Sequence, residues 1–127
     1  MIKHFNKNHF CYFGGKIMSK YVFIAKYSID AIKGMVASPQ DRKDAIGKLL
    51  SAAGMSMKDC FFSPSSAKVV LIAEGPAKAK DALVMMIMAS GSFDLDSEVI
   101  DIVDSDEFID CMKQAGQLVS AYKAAGQ

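Results

Sequence analysis

The sequence contains no tryptophan and no threonine, and its only histidines (His4, His9) and asparagines (Asn6, Asn8) fall in the first seventeen residues. From Met18 onward there is therefore no imidazole, which excludes an ordinary Ser-His or Cys-His pair and a histidine ligand for haem or zinc. Three cysteines, an odd number, make no disulfide framework and fit a reducing, cytoplasmic compartment. With two thiols after Met18 and no histidine, no closed haem, zinc or iron–sulfur site is expected. The longest apolar run, Ala82–Ala89, is eight residues, against the roughly 20 that span a bilayer, so no membrane segment is expected. Charge of one sign is also missing. Fifteen Lys+Arg against fourteen Asp+Glu leave +1, no electrostatic footprint for nucleic acid.

What is present is a chain of 127 residues, 51% apolar and 23% charged, enough for one domain with a sizeable core. Its composition changes at Met18. Residues 1–17 (MIKHFNKNHFCYFGGKI) hold three lysines and no acid, whereas the remainder carries twelve basic and fourteen acidic residues. The apolar stretch Phe10–Phe13 is too short for a signal peptide, and the segment lacks the Arg and Ser of a transit peptide. Gly14-Gly15-Lys16-Ile17 before Met18 can be encoded as GGA-GGT-AAA-ATT-ATG, a bacterial ribosome-binding site ahead of a start codon. The expectation is a translated leader or a disordered arm over 1–17, and one domain over 18–127.

Within that domain, Tyr21–Tyr27 (YVFIAKY) is β-branched and aromatic and predicts a strand. A short helix is expected over Ile29–Val36, and another after Pro39, where Ala45, Ile46, Leu49, Leu50 and Ala53 recur at helical spacing before a Gly54 cap. Met55–Phe62 and Lys68–Glu74 read as a hairpin about Ser63-Pro64-Ser65-Ser66. Ala77–Ser90 predicts a helix and Phe93–Val103 a fourth strand. Phe108, Cys111, Met112, Ala115, Leu118, Val119 and Tyr122 make an apolar stripe on a last helix, with Asp104 and Glu107 as its capping pair.

The order β-α-β-β-α-β with an added helix is that of an α+β, ferredoxin-like fold with an antiparallel sheet. Such a sheet carries its helices on one face, and a solvated second face should be polar at alternate positions. Here Val22 and Ile24, and Val70 and Ile72, are apolar on the second face too, and Phe61 and Phe62 put an aromatic on each side. Burying such side chains, at roughly 1.5–3 kcal/mol each, rivals the whole stability of a domain, about 5–15 kcal/mol. The face needs a cover: a partner sheet, the last helix or a ligand. A homodimer through the open face is the expectation, with the helix Phe108–Tyr122 folding back as the competing cover.

Local residues carry a resemblance. Lys26-Tyr27-Ser28, Ile32-Lys33, and Ser38-Pro39 with Arg42 and Ala45 resemble the opening of the GYD-domain family. Gly54, Lys58-Asp59, Phe61 and Glu74-Gly75-Pro76 are similar to its central hairpin, and Ser90-Gly91 and Phe108 also fall in place, over roughly residues 20–110. The resemblance implies a dimeric α+β barrel without an assigned activity. Ser66-Ala67-Lys68 stands where the family's Gly-Tyr-Asp triplet would open the third strand, and Asp94, Asp96 and Glu98 replace the usual arginines of the last strand.

The chemical inventory is small, and no catalytic residue is assigned. Cys60 and Cys111 are the nucleophile candidates, but Cys111 on the apolar stripe reads as core and Cys60 as a buried thiol. Asp94, Asp96 and Glu98 on one strand face read as a solvated acidic face, because i and i+2 side chains lie about 6.6 Å apart, too far to share magnesium without leaning together. The stretch Asp94–Asp110, with eight acids and no base, argues against phosphate. Lys78 and Lys80 read as solubilising. Met85, Met86 and Met88 suit the core first, then an oligomer contact or a permissive apolar pocket. Lys26, Tyr27, Asp59, Cys60, Phe62 and Met85 are the candidate ligand-binding residues. Two functions stay open: a cofactor-free oligomeric module binding a small apolar ligand or a protein, and a cofactor-independent enzyme of the dimeric-barrel type.

Overall fold

In a computed structural model, the backbone is described for residues 3–5, 11–13, 16–123 and 125–126, and side chains from Met18 onward. The remaining leader positions and the leader's side chains lie outside the described residues, and with them most of the expectation for 1–17. Two short strands, β1 (Lys3–Phe5) and β2 (Cys11–Phe13), pair antiparallel, and β2 pairs with the start of β3 (Lys16–Lys26). Met18 is where β3 changes partners: Met18 faces Cys11, and Ser19 faces Gly75. The first strand of the domain thus begins five residues before the apolar run at Tyr21, because backbone pairing at Lys16–Lys20 makes no demand on side-chain polarity.

After β3 come α1 (Ile29–Ala37), α2 (Arg42–Ala52), β4 (Ser56–Ser63), β5 (Lys68–Gly75), α3 (Ala77–Ala89), β6 (Glu98–Ile102) and α4 (Ser105–Ala121). The four longer strands lie in the order β6-β3-β5-β4, with every pair antiparallel. This is the expected α+β, ferredoxin-like arrangement. Three of the four helix starts have a side-chain acceptor, whereas α3, which follows Pro76, has none. Ser28 accepts from the Ala31 N–H (3.2 Å), Asp41 from Asp44 (3.1 Å) and Asp104 from Glu107 (2.9 Å). Gly54, at φ +83°, closes α2: its N–H donates to the Ser51 carbonyl and that of Met55 to Leu50.

Strand alternation assigns the two faces. Tyr21, Phe23 and Ala25 of β3, Val69, Leu71 and Ala73 of β5, and Cys60 of β4 are buried together with Ile46 and Leu50 of α2 and Leu83 and Ile87 of α3. That is the core, and it lies on the helix side of the sheet. Gly75 lets Met55 pack against the end of β5: a Cβ at that position would stand 2.8 Å from the Met55 Cγ.

Three expectations need correction. The last strand is Glu98–Ile102, not Phe93–Val103. Asp94 and Asp96 sit in the preceding turn, where the Asp94 N–H donates to the Lys26 carbonyl and the Ser97 hydroxyl to that of Asp94, so they share no strand face with Glu98. Cys111 is exposed rather than core: among the described residues, no side chain of α4 is buried. Met85 points outward from α3, 68% exposed, while Leu83 and Ile87 hold the buried positions.

Candidate functional site

Opposite the helices the sheet has an apolar face onto which, among the described residues, no element packs a buried side chain. Register places Val22 beside Ile72 and Ile100, Ile24 beside Val70, and Phe61 beside Val70, so one apolar patch crosses all four strands. Val22, Ile24, Val70 and Ile72 in the middle are half-buried by one another, whereas Phe61 and Ile100 at the two edges are 61% and 47% exposed. By the same alternation the rim carries Lys20, Lys26 and Lys68 together with Asp59, Glu74 and Glu98. Both signs are present. The face thus combines an apolar centre with a mixed-charge rim.

The helix side offers buried polar groups without a hydrogen-bond partner, the Tyr27 hydroxyl among them. Tyr27 follows β3, its N–H donating to the Ala67 carbonyl (2.8 Å) and its ring stacked on Phe93 with centroids 4.8 Å apart. The residue is 6% exposed, and its hydroxyl has no hydrogen-bond partner. A buried hydroxyl in that state costs about 1–3 kcal/mol, which a polar ligand atom would recover. Ala67, the residue that receives the Tyr27 N–H, is held at φ +54°, a left-handed conformation unfavourable for a residue with a Cβ. It lies in the segment where the Gly-Tyr-Asp triplet is replaced.

The six residues singled out from the sequence divide between surfaces. Tyr27, Cys60 and Phe62 belong to the helix side, as the pairing of Cys60 with Leu71 and of Phe62 with Val69 requires. Lys26 and Asp59 alternate onto the open face, and Met85 lies on the outer surface of α3. Cys60 is buried, and that burial pushes its thiol pKa up against a smaller downward pull from Lys43. It is a packing thiol and a poor nucleophile. Lys80 is also committed: it donates to Asp81 (2.6 Å), which raises its pKa, and its ammonium lies 5.4 Å from the centre of the Tyr21 ring. No group of three or more His, Cys, Asp or Glu among the described residues is placed to hold a metal ion. No helix among them is long and apolar enough to cross a membrane. Sequence reasoning missed Ile100 and Ile102 as members of the open face, since their place depends on where β6 begins. It also missed the isolation of α4.

Among protein families, the model described as the GYD domain matches residues 21–112, from the first full strand to the middle of α4. No curated protein and no solved structure matches the chain.

Proposed function

The chain belongs to the GYD-domain family, and from that premise we propose that it is a small binding and interaction module, not an enzyme, assembled as a homodimer through its open sheet face. The observation that carries this reading is the apolar patch Val22, Ile24, Val70, Ile72, Ile100 and Phe61, over which no described element of the chain packs a buried side chain. Two such faces stacked about 10 Å apart bury each other in the manner of a sandwich. The rim favours a second copy over a partner of one sign, because Lys20, Lys26 and Lys68 on one copy find Asp59, Glu74 and Glu98 on the other. Cys60 and Cys111, free and in separate elements, suit a reducing cytoplasm.

In this reading, a small and largely apolar ligand enters on the helix side and takes the unpaired Tyr27 hydroxyl as its single polar anchor. The same hydroxyl favours the second reading, a cofactor-independent enzyme. Against that reading stands the chemistry of the helix side: the Cys60 thiol, its pKa raised by burial, supplies no general base at neutral pH. Native mass spectrometry of the purified protein tests assembly and ligand together. The expected result is a dimer, with a retained small molecule lost on Tyr27→Phe. A monomer at every concentration overturns the module as described.

A further inference from the structure

The apolar stripe of α4 is symmetric about its own midpoint. Phe108, Cys111, Met112, Leu118, Val119 and Tyr122 stand three, four and seven residues to either side of Ala115, on one side of the helix. An aromatic closes each end, a pair of larger side chains lies inside it, and the smallest member is in the middle. Five of these side chains, all but Cys111, are 53–76% exposed, whereas the half-buried Glu107 and Asp110 lie on a different side of the helix. Next to Ala115 stands Gly116. Glycine inside a helix lowers its stability, and a Cβ at Gly116 would meet nothing of the same chain. No contact within the copy therefore asks for small residues at this point. Close approach of a second backbone does.

We propose that the two α4 helices of the dimer pair with each other, antiparallel, with their stripes crossing at Ala115. This pairing rests on the face-to-face dimer, whose two-fold axis it shares. At a two-fold axis a surface meets its own copy, so a stripe symmetric about its midpoint supplies both halves of the contact. Phe108 of one helix then lies toward Tyr122 of the other, and Met112 toward Leu118. Charge sets the direction. Asp104 and Asp106, both exposed, stand at the start of the helix, and the exposed Lys123 follows its end. Antiparallel pairing puts each Lys123 beside the other copy's acidic start, whereas parallel pairing sets acids against acids. The reach is sufficient. Sheets about 10 Å apart and four strands about 14 Å across place the two helix starts about 20 Å from each other. Each helix runs about 25 Å, so the two middles can meet. A helix of seventeen residues is marginal on its own in water, so the pair tightens the sheet contact and does not replace it.

Cross-linking of the full chain decides it. Two chains are compared, both bearing Cys11→Ser: one keeps Cys111, and the other carries Cys111→Ser with Ala115→Cys. In the antiparallel pair position 115 lies at the two-fold axis. The two copies of Cys111 are then about 12 Å apart along the helices, beyond the roughly 4.4–6.8 Å between Cα atoms that a disulfide needs. Under mild oxidation the 115–115 bond, identified by peptide mapping, should form at least tenfold faster than the 111–111 bond. Equal rates, or a faster 111–111 bond, overturn the antiparallel crossing. A dimer in sedimentation that forms neither bond overturns the pair and leaves the sheet contact standing; a chain that is monomeric at every concentration overturns both. Leu118→Asp with Val119→Asp gives the second measurement. Both side chains are exposed in the single copy, so the melting temperature of dilute protein should not move, while the dimer Kd should rise at least tenfold. An unchanged Kd likewise overturns the pair.

Discussion

Replacing Ile24 and Ile72 by lysine should convert the proposed dimer to a soluble, folded monomer. The two side chains are diagonal neighbours in the middle of the open face, one on β3 and the other on β5, and both are half-buried in the single chain. Lysine at such positions can extend its stem along the sheet and keep its ammonium in water, so folding of the single chain loses little. In the dimer the same positions are enclosed. Counting about 1 kcal/mol for the part of each isoleucine that association would bury, four sites per dimer amount to about 4 kcal/mol, or roughly a thousandfold in Kd, before any ammonium is desolvated. Sedimentation velocity from micromolar to submillimolar concentration is the assay, with circular dichroism to verify folding. Val36→Lys is the control, since Val36 is 75% exposed on α1 and far from the open face in sequence and role. A double-lysine variant that sediments like the parent dimer would refute the sheet-to-sheet interface, and so would equal weakening by Val36→Lys.

Phe23→Ala removes a core ring only 2% exposed and should cost about 3–5 kcal/mol, read from chemical denaturation; a loss under 1 kcal/mol would contradict the assigned core. Ala67→Gly relieves a left-handed residue at φ +54° and should stabilise by about 1 kcal/mol, a rise of a few degrees in melting temperature. Tyr27→Phe deletes a buried hydroxyl without a partner and should be neutral or stabilising by about 1 kcal/mol in ligand-free protein; marked destabilisation would mean that the hydroxyl has a structural partner. The Cys60 thiol, its pKa raised by burial, should react with a thiol reagent near pH 8 far more slowly than the exposed Cys111. Asp104 has its pKa lowered chiefly by the Glu107 N–H, so its contribution to the start of α4 is present above the ordinary carboxylate pKa and is lost as pH falls through the lower folded value. Helicity measured by circular dichroism should fall more in the parent than in Asp104→Ala over that acid range.

Much of this architecture was legible because it rests on local rules. The alternation in YVFIAKY and KVVLIAE, the caps at Gly54 and Asp104, and the break at Gly75-Pro76 depend on neighbours within a few residues, and these elements stand where those signals put them. The apolar character of the second sheet face was equally plain, since alternation along β3 and β5 is a property of one dimension. The candidate site was less legible, because Lys26 and Tyr27, adjacent in sequence, project to opposite faces, as do Asp59 and Cys60. Six nearby or chemically suited residues were therefore never one site.

Only the tertiary structure decided what each apolar stripe meets. Periodicity reports that Phe108, Cys111, Met112 and Leu118 share one side of a helix, but not whether that side turns toward its own sheet; here it turns away, and Cys111 is exposed for that reason. The extent of β6 was likewise settled by pairing with β3, which begins at Glu98 and leaves Asp94 and Asp96 in a turn. A hydroxyl such as that of Tyr27 becomes an orphan only once packing has closed around it and supplied no acceptor. Local hydrogen bonding and side-chain period are written along the chain, whereas burial is a sum over neighbours that the chain order does not contain.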